Sequence, residues 1–148
     1  MSRRTARKNA FLALYQSDVT EQSLDRILAR WRSYRGELDE YAQKLSRGVE
    51  EEIGHLDKRL NEVAVGWRVR RMSSVDRTIL RLALYEMLYV KDVPAEIAIG
   101  EAVELAKGFS GEEAPQFVGG VLRGAKETWL EGYTEHYDEG YDRRVEHG

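Results

Sequence analysis

The stretch SSVDRTILRLALYEMLYVK, from Ser73 to Lys91, decides the fold of this chain. It opens with a helix-capping signal, Ser73 with Asp76 three residues later, and it ends before Pro94, which cannot continue a helix. At about 100° per residue, its apolar side chains go all the way round the helix. Such a helix must be enclosed by protein, because it is too short and too charged to cross a bilayer, which needs about 20 mostly apolar residues. The stretch predicts the central buried helix of an all-α domain.

Length and composition favour one helical domain. A chain of 148 residues can bury a substantial core, and the absence of cysteine excludes disulfides and thiolate metal sites. No apolar segment of a secretory signal follows the basic start, so we expect a cytoplasmic protein. We assign residues 1–130 to the helical domain. Residues 131–148 form an acidic tail with tyrosines, either a helical extension or disordered.

Apolar periodicity, glycine and proline divide the chain into about seven helices. Asp39 is the expected N-cap of the third helix and Gly54 its stop, while Pro94 and Pro115 should open the last two. Three glycines within the last helix predict a close backbone approach, either to another helix or to a ligand, since glycine costs up to about 1 kcal/mol in a helix. Besides the central helix, the expected helices cover about residues 3–16, 23–33, 39–52, 56–67, 94–107 and 115–125.

Charge is distributed unevenly, although the net charge is only −3. Residues 1–17 contain four basic residues and no acid, whereas the tail is strongly acidic. On the first helix, cations and rings share one side, opposite a face of small residues. Single-stranded nucleic acid needs both groups, because cations neutralise phosphates and rings stack on unpaired bases. An ordinary aromatic core with solvated arginines explains the same pattern, so helix geometry leaves both interpretations open. The shared side contains Arg4, Arg7, Lys8, Phe11 and Tyr15.

A second basic run, Arg68-Val69-Arg70-Arg71, precedes the central helix. It is either a second contact for anions or the solvated last turn of a helix, where cations suit the helix dipole. In the central helix, the Glu86 carboxylate must be paired, and Arg81 or a helix N-terminus is the expected partner. Glu101 and Glu104 share a helix face that we expect to be solvated.

The sequence contains no recognisable catalytic motif. It has no thiol nucleophile, no glycine-rich phosphate loop after a strand and no Gly-x-Ser-x-Gly turn. Its three histidines are scattered without the spacing of metal ligands. We therefore expect a protein that is not an enzyme and that needs neither a metal nor a cofactor.

Three blocks of sequence resemble the NusB family of bacterial transcription antitermination factors. The first is Arg4-x-x-Arg7 leading to AFLALYQ at 10–16, and the second is DRTILRLALYE at 76–86. The third runs from DVP at 92–94 through EAVELAK at 101–107 to FVGGVL at 117–122. These blocks occur in the family's order and spacing, and the resemblance covers about residues 3–126.

The resemblance implies an all-α fold of two packed helical subdomains around the central helix. It also implies binding of boxA, a single-stranded RNA element of ribosomal RNA leader transcripts, as a heterodimer with the ribosomal protein NusE. The complex would act with NusA, NusG and RNA polymerase, and some relatives form homodimers.

Carried over by position, the resemblance implies two sets of contact residues. Tyr15 and Asp76 should face NusE, and the acidic Glu113 should temper RNA binding. Gly119 stands where the family usually has asparagine, so an RNA contact by that amide would be lost. The RNA-binding residues implied are Arg3, Arg4, Arg7, Lys8, Tyr15, Gln116 and Phe117.

Two alternative functions fit the sequence less well. A helical adaptor that binds only protein partners would not need the cations of the first helix. An accessory module for ribosomal RNA processing or modification is suggested because a NusB-like domain also precedes an RNA cytosine methyltransferase domain. No such catalytic domain fits within this chain.

Overall fold

A computed structural model of the chain describes residues 2–131, in which there are seven α-helices and no strand. A short 3-10 turn covers Val69–Arg71, and a π-helical turn at Glu127–Glu131 ends the described part. The all-α prediction is therefore confirmed. The helices are α1 (Arg3–Thr20), α2 (Leu24–Arg35), α3 (Glu40–Glu51), α4 (Ile53–Val63), α5 (Ser74–Tyr89), α6 (Ala95–Phe109) and α7 (Ala114–Lys126).

Helix α5 is the centre of the molecule, as its sequence predicts. It packs against α1, α3, α4, α6 and α7. Its start is capped by Ser73, whose hydroxyl accepts a hydrogen bond from the Asp76 amide at 3.1 Å. Burying each large apolar side chain stabilises the fold by about 1.5–3 kcal/mol. The fully buried large side chains of α5 are Ile79, Leu80, Leu84, Met87 and Leu88.

The remaining helices form two groups on this central helix. Helices α1, α2 and α3 pack on one another, and α7 packs on both α4 and α6. Helices α1 and α6 both pack on α5, so a side chain of α1 can reach carboxylates on α5 and α6. This arrangement determines where the cations of α1 lie.

Two predicted boundaries of the helices before α5 are wrong. Gly54 does not end the third helix but lies in the first turn of α4. The Glu52 amide donates to the Gly48 carbonyl, and the Glu52 carbonyl accepts from the Leu56 amide, so helical hydrogen bonds continue across the junction. The fourth helix ends at Val63 rather than near residue 67.

Close approach of another helix to a glycine backbone lies mainly elsewhere than in the last helix. A Cβ added at Gly120 or Gly124 would meet nothing within 4 Å, and only Gly119 of the three has close neighbours. At Gly48 in α3, an added Cβ would lie 2.1 Å from Cζ of Tyr85. The ring of Tyr85 therefore lies directly on the α3 backbone, and this contact lets α3 pack closely on α5.

Across residues 2–131, no helix is long and apolar enough to cross a membrane. The predicted tail, including its tyrosine repeat, lies outside the described residues, and its helical or disordered state stays a prediction.

Candidate nucleic-acid and partner interface

The first two arginines of α1 lie on the surface and are paired with acids. Arg3 donates to Asp92 in the α5–α6 turn at 3.1 Å, and its guanidinium lies 4.3 Å from the centre of the Tyr41 ring. Nε of Arg4 donates to the Glu101 carboxylate of α6 at 3.1 Å. The Arg4 side chain remains 76% exposed, so its outer nitrogens are accessible.

Arg7 does not lie on the surface, although the sequence places it with Arg4 and Lys8. It is 6% exposed, and its Nε donates to both carboxylate oxygens of Glu86 at 2.8 and 2.9 Å. A second nitrogen, Nη1, donates to Glu101 at 3.3 Å. The prediction that Arg7 contacts phosphate therefore does not fit this structure. Its charge is used to join α1 to α5.

Tyr41 completes this buried cluster from α3. Its hydroxyl donates to Oε2 of Glu86 at 2.5 Å. Burial raises the pKa of Tyr41, and the hydrogen bond to Glu86 raises it further, because both disfavour the phenolate. Burial alone would lower the pKa of Arg7, but Glu86 reverses this and raises it. Glu86 is thus paired, as expected, but by Arg7 and Tyr41 rather than by Arg81.

Arg81 belongs to a separate ion-pair network on α5. It donates to both oxygens of Asp57 at 2.7 and 2.8 Å and to Asp18 at 3.2 Å. Burial would raise the pKa of Asp18, but hydrogen bonds from Ser74 and Arg77 and the charges of Arg77 and Arg81 lower it. This network joins α1, α4 and α5 and exposes little charge.

The two glutamates of α6 differ from each other. Glu104 is exposed and pairs with Lys107 one turn later, which confirms a solvated position. The Glu101 side chain is only 15% exposed, because it receives both Arg4 and Arg7. The prediction of a solvated Glu101 is wrong, since α1 packs beside α5 and α6 and covers it.

The aromatic residues of α1 are also divided between core and surface. Phe11 is buried, whereas Tyr15 is half-buried and stacks on Phe11 with ring centres 5.8 Å apart. Phe109, at the end of α6, lies 5.0 Å from Phe11 and is partly exposed. Lys8 is exposed. The core interpretation is therefore correct for Phe11, while Lys8 and Tyr15 remain accessible.

A groove of about 780 Å³ lies between the start of α5 and the α6–α7 loop. Asp76 is half-buried there, and it accepts a hydrogen bond from the Ser110 hydroxyl at 2.8 Å. Glu113 and Phe117 line the same groove, and Gln116 is exposed next to Phe117. The structure thus brings together three of the predicted contact residues from distant parts of the sequence, namely Asp76, Glu113 and Phe117.

The opposite wall of the groove contains Trp67 and Arg71, which the sequence prediction did not include as contact residues. Trp67 is 55% exposed, and its ring packs edge-on against Phe117 at 5.9 Å. The basic run does not form the last turn of a helix, because α4 ends at Val63. It lies instead in a loop and the 3-10 turn. A signal was present in the sequence, since a tryptophan directly precedes the arginine run.

Known proteins resemble this chain over nearly its whole described length. A model of the NusB family matches residues 4–127. The chain belongs to the NusB family. The transcription antitermination protein NusB of Rubrobacter xylanophilus is 68% identical over 127 residues, covering 86% of this chain and 91% of that protein.

Solved NusB structures have the same fold. T. maritima NusB is 37% identical, with a TM-score of 0.77, and the match covers 86% of this chain and 92% of that one. A structure of antitermination factors NusB and NusE in complex with dsRNA is 26% identical, with a TM-score of 0.77. That match covers 86% of this chain and 97% of the other.

Membership of the NusB family gives the chain a role in transcription antitermination rather than in catalysis. Among the described residues, no group of three or more His, Cys, Asp or Glu is placed to hold a metal ion. The surface with exposed cations, rings and a groove is the candidate interface of this NusB-family chain.

The resemblance places an asparagine where this chain has Gly119. This glycine is buried, and a Cβ added there would meet Nη1 of Arg123 at 3.0 Å and Cγ2 of Val103 at 3.4 Å. Gly119 is not among the residues that line the groove. An asparagine at this position would therefore displace the Arg123 side chain. Whether this changes RNA contacts stays a prediction.

Proposed function

We propose that this chain binds single-stranded boxA-type RNA of ribosomal RNA leader transcripts as a heterodimer with NusE. It acts in the cytoplasm with NusA, NusG and RNA polymerase in transcription antitermination. The observation that carries the proposal is a series of side-chain contacts that links α1, which presents exposed cations, to the groove beside Phe117.

These contacts join α1 to the end of α6 and to the start of α5. Tyr15 stacks on Phe11, which contacts Phe109 at the end of α6. The next residue, Ser110, donates to Asp76 in the groove that Phe117 lines. Helix α1 presents Arg4 and Lys8, which are exposed. Cations and rings therefore follow one another along a single path, as a bound single strand requires.

The exposed rings favour an unpaired strand. In a duplex the bases are stacked on one another, and their faces are not available to protein rings. Tyr15, Phe109 and Phe117 each retain an accessible portion. The related NusB–NusE complex contains dsRNA, which supports RNA as the class of ligand. The aromatic surface supports single-stranded RNA as the specific form.

NusE binds at the start of α5, where Asp76 and Tyr15 meet the RNA path. Asp76 already accepts a hydrogen bond from Ser110 through one oxygen, which orients the carboxylate and leaves the other oxygen for a cation of NusE. Glu113 is exposed at the rim of the same groove and weakens phosphate binding by repulsion. A homodimer through this surface would compete with both partners.

The contact set proposed for RNA is smaller than the one implied by the resemblance. Lys8, Tyr15, Gln116 and Phe117 are accessible, and Arg3 and Arg4 are accessible although each is paired with an acid. Arg7 acts indirectly, because it holds α1 in place through Glu86.

Fluorescence anisotropy with end-labelled boxA-type RNA tests this function. We expect weak binding by the chain alone, stronger binding with NusE, and a linear loss of log affinity with log salt concentration. A scrambled strand of equal length is the control for sequence. Equal affinity for both strands in the presence of NusE would overturn the proposal.

Charge reversal separates RNA binding from a purely protein-binding adaptor. Lys8→Glu should lower RNA affinity about tenfold and retain NusE, because it replaces attraction to phosphate by repulsion. Arg26→Glu is the matched control, since Arg26 is exposed on α2, a helix that does not contribute to this surface. If Lys8→Glu leaves RNA affinity unchanged, the cations of α1 do not bind RNA.

A further inference from the structure

We propose that Trp67 is a second base-stacking platform, which binds an unpaired base of the RNA next to the base at Phe117. Arg68 and Arg71 hold the adjoining phosphates. This inference rests on the proposed function and extends it to a residue outside the contacts that the resemblance implies. It gives the basic loop before α5 a ligand of defined chemistry, a nucleobase with its flanking phosphates.

The arrangement of the two rings carries the first step. Trp67 and Phe117 pack with ring centres 5.9 Å apart and an angle of 66° between their planes. Trp67 is nevertheless 55% exposed, so much of the indole faces the groove or solvent rather than the core. Leaving this apolar area in water is unfavourable. A stacked base would cover it, and Phe117 would form the side of the same site.

The backbone holds Trp67 in place before any ligand binds. After α4 ends, Gly66 adopts a positive φ of 82°, and the Trp67 amide donates to the Ala64 carbonyl at 2.9 Å. The Val69 amide donates to the Asn61 side chain at 2.9 Å, and Val69 itself is buried. The loop is thus anchored on both sides of Trp67. A platform that is already ordered loses little conformational entropy on binding.

The charges around the groove determine how a strand would lie in it. Arg68 and Arg71 are exposed, and neither forms an ion pair with another residue in the range 2–131. Of these two arginines only Arg71 lines the groove, and the other charged lining residues are the acids Asp76, Glu112 and Glu113. Phosphates are therefore attracted to the arginine side and repelled from the other. This polarity places the sugar-phosphate chain beside the loop and directs a base toward the rings.

The volume of the groove fits this ligand. At about 780 Å³ it lies within the range of sites that enclose small molecules. Aromatic contacts are available at two places. One contains Trp67 and Phe117, and the other, farther along the surface, contains Tyr15 and Phe109. Successive bases of one strand can use them without duplex formation.

Tryptophan fluorescence with the full chain and boxA-type RNA tests the role of Trp67. Stacking of a base on the indole should quench its emission, so RNA should quench the wild-type chain. Trp67→Phe should retain affinity within about twofold, because phenylalanine still stacks, but should lose most of the quenching. Trp31→Phe is the matched control, since Trp31 is buried in α2 and should leave the quenching unchanged.

Affinity of Trp67→Ala gives the second readout. We expect a loss of about tenfold for boxA-type RNA, with NusE affinity unchanged, because stacking is removed and the protein partner is not affected. Unchanged RNA affinity would overturn the inference. So would a loss of NusE binding alone, which would make Trp67 a protein contact. Thermal unfolding of each variant shows that the fold is intact.

The two proposals fail in different ways. If the wild-type chain with NusE does not distinguish boxA-type RNA from a scrambled strand, the proposed function fails, and the inference about Trp67 fails with it. If wild type binds specifically but Trp67→Phe is quenched as strongly as wild type, only the inference about Trp67 fails. The fluorescence experiment therefore tests Trp67 even where Trp67→Ala is unstable.

Discussion

The arginines of residues 3–7 and those of residues 68–71 are equally basic in sequence but have different environments. In the first segment, Arg3, Arg4 and Arg7 are each paired with a carboxylate of α5, α6 or the turn between them. In the second, the three arginines are exposed and form no ion pair within the described part of the chain. The carboxylates on neighbouring helices, rather than the number of cations, determine whether a cation is available to phosphate.

The pairing in the first segment has a structural consequence. Arg7 connects α1 to α5 and α6 through buried charges, whereas Arg3 and Arg4 make the same kind of link at the surface. Surface pairs contribute only about 0–1 kcal/mol, but breaking a buried pair is costly because one charge is left without a partner. The N-terminal helix is therefore held by its ion pairs as well as by its buried alanines, Ala6, Ala10 and Ala13.

Arg7→Leu should have the largest effect of the variants that test this comparison, and the effect is on stability. It leaves the Glu86 carboxylate buried with only Tyr41 as partner, so we expect a loss of about 3 kcal/mol in the free energy of unfolding, measured by urea denaturation. The double variant Arg7→Leu with Glu86→Leu should recover most of this loss, because no charge remains buried. A single variant within 1 kcal/mol of wild type would contradict the structural role of the pair.

Charge reversal of the second segment should have the next largest effect, this time on RNA. Arg68→Glu with Arg71→Glu should lower RNA affinity about tenfold or more. The slope of log affinity against log salt concentration should fall by the amount that corresponds to roughly two phosphate contacts. The matched variant is Arg3→Glu with Arg4→Glu, which should reduce the salt dependence less, because these two cations are already paired with acids. If the two double variants reduce the salt dependence equally, pairing with carboxylates does not determine whether an arginine is available to phosphate.

Tyr41→Phe tests whether the buried cluster of Arg7, Tyr41 and Glu86 makes the stability of the fold depend on pH. At neutral pH we expect a loss of about 1 kcal/mol in the free energy of unfolding, because Glu86 loses one donor. The pKa of Tyr41 is raised above its ordinary value of 10.0, so its contribution is complete below pH 10 and is lost as pH rises through the raised value. Wild type should therefore lose more stability above pH 10 than the variant does.

Chemical unfolding at a series of pH values up to 11 measures this difference. Tyr34→Phe is the control, since Tyr34 is 85% exposed and should leave the pH profile unchanged. Identical alkaline profiles for wild type and Tyr41→Phe would show that the phenol is not coupled to folding.

Glu101→Gln should have the smallest effect, which is on RNA affinity. It tests whether pairing with Glu101 limits the availability of Arg4 in α1. Removing the carboxylate frees the Arg4 guanidinium for phosphate, so we expect RNA affinity to rise about two- to threefold at low salt. Glu104→Gln, one turn away and exposed, should have no comparable effect. A fall in affinity in Glu101→Gln would show that Glu101 positions Arg4 rather than competing with RNA.

Much of the fold follows from local rules. Ser73 and Asp39 cap their helices as predicted, and their hydroxyl and carboxylate oxygens accept the expected amide hydrogen bonds. The buried α5 follows from apolar residues on all its sides. Gly54 was misread as a helix stop, because a helix junction with continuous hydrogen bonds has no distinct local signal. The Gly48–Tyr85 contact joins residues that are far apart in sequence, so spacing within one helix does not reveal it.

The candidate interface was predictable only in part. Phe117, Glu113 and Asp76 were named from the family resemblance, and the structure brings them together around one groove. Trp67 and Phe109 were missed, because the exposure of an aromatic residue depends on how the surrounding helices pack. The assignment of RNA contacts to Arg4, Lys8, Tyr15 and Gln116 stays a prediction.

By itself, the sequence determined that this is an all-α chain built on one buried helix, because periodicity and capping act over a few residues. Its motifs also placed it in the NusB family. Tertiary structure alone decided which cations are available, because Glu86 and Glu101 reach α1 only when α5 and α6 pack beside it. It likewise placed Trp67 against Phe117, 50 residues later in the chain. Ion pairing and exposure depend on distances between helices, which no single segment of sequence contains.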